Sequence, residues 1–151
     1  MDASSRSLKI VGILNVTTDS FSDGDRYLDT QAAIEKGREL IAQGADLVDI
    51  GAESSNPDGE KIAAQQEIER LTPVVQALRR ERIRVSIDTY KPEVMKHAVS
   101  LGVDMINDIT GLRNEEAIEV VCRAGVPVVI MFARNQDPHA ERTIRDHTTV
   151  M

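Results

Sequence analysis

RVSIDTYKPEVMKHAVSLGVDMINDIT, residues 84–110, decides how this chain folds. Arg84 to Thr89 reads as a strand, with the β-branched Val85 and Ile87 ahead of Asp88. From Pro92 the apolar positions Val94, Met95, Ala98 and Val99 recur at helical spacing, and Gly102 supplies the stop. Proline in a first turn sacrifices no helical hydrogen bond, so Pro92 marks where the helix opens. Asp104 to Thr110 then returns to a strand pattern. A strand, a short helix and another strand in direct succession imply a right-handed crossover between parallel strands.

The same alternation extends in both directions. KIVGILNV (9–16) reads as a first strand and ADLVDIG (45–51) as a second. Between them Thr30 caps a helix over 31–44, with Ala33, Ile34, Leu40 and Ile41 on one side and Gly44 as its stop. A longer helical pattern over 59–81 carries Ile62, Ile68, Leu71, Val74, Val75 and Leu78, with a kink expected at Pro73. Asn114 caps EEAIEVVCRA, Gly125 ends it, and PVVIMF (127–132) is a fifth strand. From Ala133 the tail is polar and reads as a loop or the start of another helix.

Strict βα alternation means a parallel sheet, either open and doubly wound or closing as a (β/α)₈ barrel. No G-x-G-x-x-G follows the first strand and no Walker A sequence occurs, which removes the usual support for a nucleotide-binding open sheet. Instead every strand runs into polar groups: Asn15 and Thr17; Glu53, Ser54 and Ser55; Asp88; Asn107 and Asp108; Arg134. That is the distribution at the C-terminal face of a barrel, where functional groups come from several strand ends. Eight βα units need roughly 250 residues. The expectation is therefore an α/β fold of parallel TIM-barrel type with five βα units, residues 1–151 forming a single partial domain. Unpaired sheet edges make self-association an expected property.

Composition narrows the partners. The chain has 151 residues, Lys plus Arg 18 against Asp plus Glu 25, and a formal net charge of −7. A binder of nucleic acid or of an anionic membrane surface needs an electropositive face, so both are disfavoured. The single cysteine, Cys122, excludes an internal disulfide, and its place in an apolar-periodic stretch predicts a core position. Asn15 interrupts the apolar run from Ile10 and no A-x-A-like site follows, so no secretory leader is expected and the cytoplasm is the default location. No apolar stretch reaches membrane-spanning length.

Three regions carry chemistry. Residues 17–24 (TTDSFSDG) and 53–60 (ESSNPDGE) offer hydroxyls, oxygens and backbone N–H groups after buried strands, suited to an anion or a cation; ordinary turns and helix caps explain them as well. Asp88 and the Asn107-Asp108 pair sit inside apolar strands, where a polar group must find a partner. Either structural hydrogen bonds or ligand recognition satisfies that requirement. His97, His139 and His147 share no metal-ligand spacing and read as surface or capping residues. Charges such as Glu67, Glu69, Arg79, Arg80 and Glu81 read as a solvated helix face.

Taken in order, NVTTDSFSDG, DIGAESSNP, SIDTYK and INDITGL resemble dihydropteroate synthase of the pterin-binding TIM-barrel superfamily, over Ile10 to about Met131. The resemblance implies condensation of a dihydropterin hydroxymethyl diphosphate with p-aminobenzoate, releasing diphosphate, with Mg²⁺ as cofactor. It implies Asn15 at the magnesium and diphosphate position and Ser55 as a diphosphate contact. Asp88 and Asn107 match the groups that bond the pterin, Asp88 serving catalysis by stabilising a dihydropterin cation. Ile109 and Met131 would line the pterin pocket, and Phe21 and Ser22 fall in the loop that encloses p-aminobenzoate. Thr18, Asn56 and Phe132 stand where the family usually has Pro, Arg and His. The aspartate, lysine and basic diphosphate ligand that the family carries on later strands have no counterpart in these residues. The resemblance also leaves open a non-catalytic pterin-binding or assembly-dependent protein, and a methyltetrahydrofolate-dependent methyltransferase relative.

Overall fold

A computed structural model of the chain describes residues 8–16, 26–53 and 61–131. Nine elements alternate: β1 (Val11–Asn15), α1 (Arg26–Ala42), β2 (Leu47–Gly51), α2 (Ala64–Arg80), β3 (Val85–Asp88), α3 (Pro92–Ser100), β4 (Met105–Asp108), α4 (Glu115–Ala124) and β5 (Val128–Ile130). The five strands form one parallel sheet in the order β1-β2-β3-β4-β5. Each strand lies beside its predecessor in sequence. A doubly wound sheet reverses direction at a switch point, whereas barrel winding never does, so the strand order separates the two architectures left open by the periodicity.

Strand residues alternate between two faces. One face carries Leu14, Val48, Ile50, Val85, Ile87 and Ile106, all buried beneath the helices. From the helix layer Leu71, Val74, Val75 and Leu78 of α2 and Val94, Met95 and Ala98 of α3 close over them. Fully burying such aliphatic side chains stabilises the fold by about 1.5–3 kcal/mol each. The opposite face carries Ile13, Asn15, Asp49, Gly51, Ser86, Asp88, Met105, Asn107 and Val129, in the positions that line a barrel's interior. No helix of the described residues is long and apolar enough to cross a membrane.

Local chemistry sets the helix ends. Asn114 accepts a hydrogen bond from the Glu116 N–H at 2.9 Å, and Gly125 adopts φ 64° as the left-handed C-terminal cap of α4. Pro92 opens α3 as expected. Gln66 reaches back to the Ala63 N–H at the start of α2, which continues through Pro73.

Several expectations need correction. Helix α1 starts at Arg26, so Thr30 lies inside it and does not mark the start of a helix at 31. Cys122 is exposed, because α4 turns Ala117 and Val121 toward the sheet and leaves position 122 outside that stripe. His97 is half-buried, its Nε2 lying 2.9 Å from Thr72 Oγ1. Glu67 is no part of a solvated face: it is 1% exposed and paired with Lys91. Arg79, also assigned to that face, is partly buried and binds Asp104.

Candidate functional site

Register places the candidate residues in one row across four strands. Asn15 pairs with Gly51, Gly51 with Asp88, and Asp88 with Asn107. All lie at the C-terminal ends of their strands, on the face away from the helices. Gly51 leaves a gap in that row: a Cβ built there would stand 3.6 Å from Asp88 Oδ2 and 3.9 Å from Asn15 Oδ1. With no side chain between them, the carboxylate and the exposed amide border one space.

Ile109 and Met131 follow the ends of β4 and β5, each half-buried. Met131 N–H donates to the Asp108 carbonyl at 3.2 Å, which fastens the end of β5 to β4. Phe21, Ser22 and Ser55 lie outside the described residues, as do Thr18, Asn56, Phe132, Arg134, His139 and His147. The row thus unites Asn15, Asp88 and Asn107 from three separate strands.

The two residues of the Asn107-Asp108 pair part company because adjacent side chains leave a strand on opposite faces. Asp108 is buried and accepts bonds from Thr110 N–H and Oγ1, both at 2.7 Å, and from Leu112 N–H at 3.2 Å. These bonds shape the turn that follows β4, including Leu112 at φ 55°. Its carboxylate is structural. Asn107 instead projects into the row, and its Nδ2 donates to Asp49 Oδ2 at 2.8 Å.

Behind the row lies an ion cluster that the sequence alone did not reveal. Lys91 Nζ lies 2.5 Å from Glu53 and 2.7 Å from Glu67. Tyr90 donates to Glu53 at 2.8 Å, and the Ile62 N–H donates to the same carboxylate at 3.1 Å. Burial works against the charge on both partners, yet Lys91 and the hydrogen bonds hold Glu53 below its ordinary range. Glu53 and Glu67 in turn hold Lys91 above its ordinary range against the same desolvation. The cluster ties the exit of β2 to the first turn of α2 and to the entry of α3.

Lys91 is therefore committed to two carboxylates and does not offset the remaining acids. Burial, followed by the charges of Asp49, Glu67, Asp108 and Glu53, pushes the Asp88 carboxyl up to about 7 from 3.8. Such a group accepts a proton, an N–H donor or a cation readily. Among the described residues no group of three or more His, Cys, Asp and Glu is placed to enclose a metal. Asn15 nevertheless offers an exposed amide oxygen, the donor type that a hard cation takes beside waters and ligand phosphates.

Asp49 and Lys91 were not singled out by sequence, and Glu67 was read there only as a solvated charge. Asp49 carried a detectable signal, an acid inside the apolar run of β2, whereas the Lys91 partnership depends on helix packing.

Residues 11–151 match the model of a family described as pterin binding enzyme. The type-3 dihydropteroate synthase of Escherichia coli is 47% identical over 125 residues, covering 83% of this chain and 48% of the relative. The Xanthomonas albilineans dihydropteroate synthase, solved with 4-aminobenzoic acid, aligns at TM-score 0.74 and 43% identity, covering 80% of this chain and 45% of that one. The dihydropteroate synthase of Clostridium difficile, solved in the presence of pteroic acid, aligns at TM-score 0.82 and 35% identity, covering 97% and 55%. The chain spans about half the length of the curated relatives it matches. A family match over nearly every residue, on a sheet wound in barrel order with its polar row at the strand ends, places this chain in the pterin binding enzyme family.

Proposed function

We propose that this chain provides the pterin-recognising part of a dihydropteroate synthase, which joins a dihydropterin hydroxymethyl diphosphate to p-aminobenzoate and releases diphosphate. The row of Asn15, Gly51, Asp88 and Asn107 carries the reading. An acid and an amide side by side, next to a position without a side chain, suit the edge of a flat heterocycle rich in N–H groups. Ile109 and Met131 would form its apolar walls, with Ser55, Phe21 and Ser22 serving the diphosphate and p-aminobenzoate ends.

Asp88 would act on the reacting heterocycle directly. With its carboxyl near 7, it is partly protonated at neutral pH, and positive charge developing on the pterin favours the ionised form. The ionised carboxylate attracts the positive charge that builds as the leaving group departs, which stabilises the transition state more than the ground state. Glu53, Glu67, Asp49 and Asp108 make the surroundings acidic, so an anionic tail needs a counter-charge. We assign Mg²⁺ to that task with Asn15 as its protein ligand; when bound, the ion would neutralise the diphosphate oxygens. Residues 1–151 would constitute a single partial domain working in the cytoplasm.

The exposed apolar residues of the outer strands, Ile13 at 69% and Ile130 at 59%, favour self-association as well. The test is equilibrium titration of the purified chain with 6-hydroxymethylpterin and with its diphosphate, each with and without Mg²⁺. Expected are binding of both pterins and a magnesium-dependent gain for the diphosphate alone. Failure of either pterin to bind overturns the reading, and equal affinities with and without the ion remove Mg²⁺ from it. Dihydropteroate formation by the chain should be slight, because the family's later-strand ligands have no counterpart here; rapid turnover would contradict that expectation.

A further inference from the structure

Asp49 is a buried acid of the site that has so far entered only through its charge. It is 6% exposed, lies on the same face as Gly51, and pairs in register with Ser86. Lys91 serves Glu53 and Glu67, not Asp49. The hydrogen bond that Asp49 receives among the described residues comes from Asn107 Nδ2, at 2.8 Å from Oδ2. Its Oδ1 and the Ser86 hydroxyl are buried without a partner among the described residues. A carboxylate held so far from water on one amide bond is costly, so its energetic return must lie in what that bond fixes.

A carboxamide has two faces that differ only in which end donates. Rotated by a half turn, Asn107 would point its carbonyl oxygen at Asp49, and acceptor would meet acceptor. We propose that Asp49 is a positioning residue that locks Asn107 in one orientation, leaving Oδ1 and the second N–H to face the ligand. Beside Asp88 this gives a fixed order of acceptors and donor across the row. The order selects a pteridine with an amino group next to a ring nitrogen over one bearing a carbonyl at that place. This selectivity rests on the pterin reading given above; the locking of Asn107 does not.

Two measurements separate those layers. In the ligand-free protein, the side-chain ¹⁵N–¹H signals of Asn107 should show one Nδ2 proton slowed in solvent exchange, and Asp49→Asn should abolish that protection. The wild-type signal needs no variant, so the test survives even if Asp49→Asn fails to fold. Second, affinities for 6-hydroxymethylpterin and 6-hydroxymethyllumazine are compared, the latter having a carbonyl in place of the 2-amino group. Wild type should prefer the pterin, and Asp49→Asn, whose amide can donate or accept toward Asn107, should cut the preference about tenfold. Ser86→Ala, which removes a neighbouring hydroxyl with no bond to Asn107, should leave it unchanged. Rapid exchange of both Asn107 protons in wild type overturns the locking. Equal weakening of both ligands in Asp49→Asn, or an unchanged preference, overturns the selectivity. If wild type binds neither pteridine, the pterin reading falls while the exchange data still decide the locking.

Discussion

Asp88 is the residue at which burial and charge act most strongly together. Its folded pKa of about 7 lies above the ordinary 3.8, so the native state holds this proton more tightly than the unfolded chain does. The associated stability is fully present below about pH 4 and is lost as pH rises through 7. Asp88→Asn, which cannot ionise, should therefore exceed the parent in stability by on the order of 2–4 kcal/mol at pH 8, with the gap closing toward pH 4. Urea unfolding across that range checks the sign, and a variant no more stable at pH 8 contradicts the pKa. Gly51→Ala provides a complementary test. The new Cβ would meet Asp88 and Asn15 at 3.5–3.9 Å, ordinary contact distances, so the fold should tolerate it within about 0.5 kcal/mol. The methyl would occupy the space between acid and amide, and pterin affinity should fall at least about tenfold. Unchanged affinity would mean that the ligand does not use that space. Asp88 and Asn107 were legible in the sequence because polar groups in apolar strands are conspicuous. That Asn107 joins the row while Asp108 only shapes a turn follows from the pleat, once the register is known.

Among the elements, the junction of β2, α2 and α3 depends on one ammonium. Removing it in Lys91→Met takes the counter-charge from Glu53 and from the 1%-exposed Glu67 together, and should cost about 3–5 kcal/mol. The exposed pair Lys36 and Glu39 on α1 gives the contrast: Lys36→Ala should change stability by less than about 0.5 kcal/mol. Comparable losses in the two variants would show that burial of the cluster carries no energetic weight. Asn114→Ala should cost about 1 kcal/mol by removing the cap on the Glu116 N–H. Thermal unfolding of the variants orders these effects. The end signals of α3 and α4 were fully legible, since Pro92, Asn114 and Gly125 act locally. The start of α1 was not, because a threonine favours caps without forcing one. Glu67 misled for a related reason: a helical wheel shows which face a residue occupies, but not whether a lysine from another element will neutralise it.

For the whole molecule, sequential strand order was the property that periodicity left undecided and chain pairing resolved. Asn15, Asp88 and Asn107 at the ends of β1, β3 and β4 pointed the right way because barrel architecture gathers strand-end groups on one rim. The outer strands bear apolar side chains open to solvent, including Val11 and Ile13 on β1 and Val129 and Ile130 on β5. Sedimentation velocity should accordingly show mass rising with concentration, and Ile13→Lys together with Ile130→Lys should suppress it. A monomer at all concentrations would contradict an exposed, adhesive edge. The central claim concerns the rim itself, where three strands contribute one binding row. It is tested most directly by the affinity of the intact chain for 6-hydroxymethylpterin in wild type, Asp88→Ala, Asn107→Ala and the remote Lys36→Ala. The account predicts binding by wild type and Lys36→Ala, with at least about a tenfold loss in each of the other two. Equal affinity in all four proteins would contradict it.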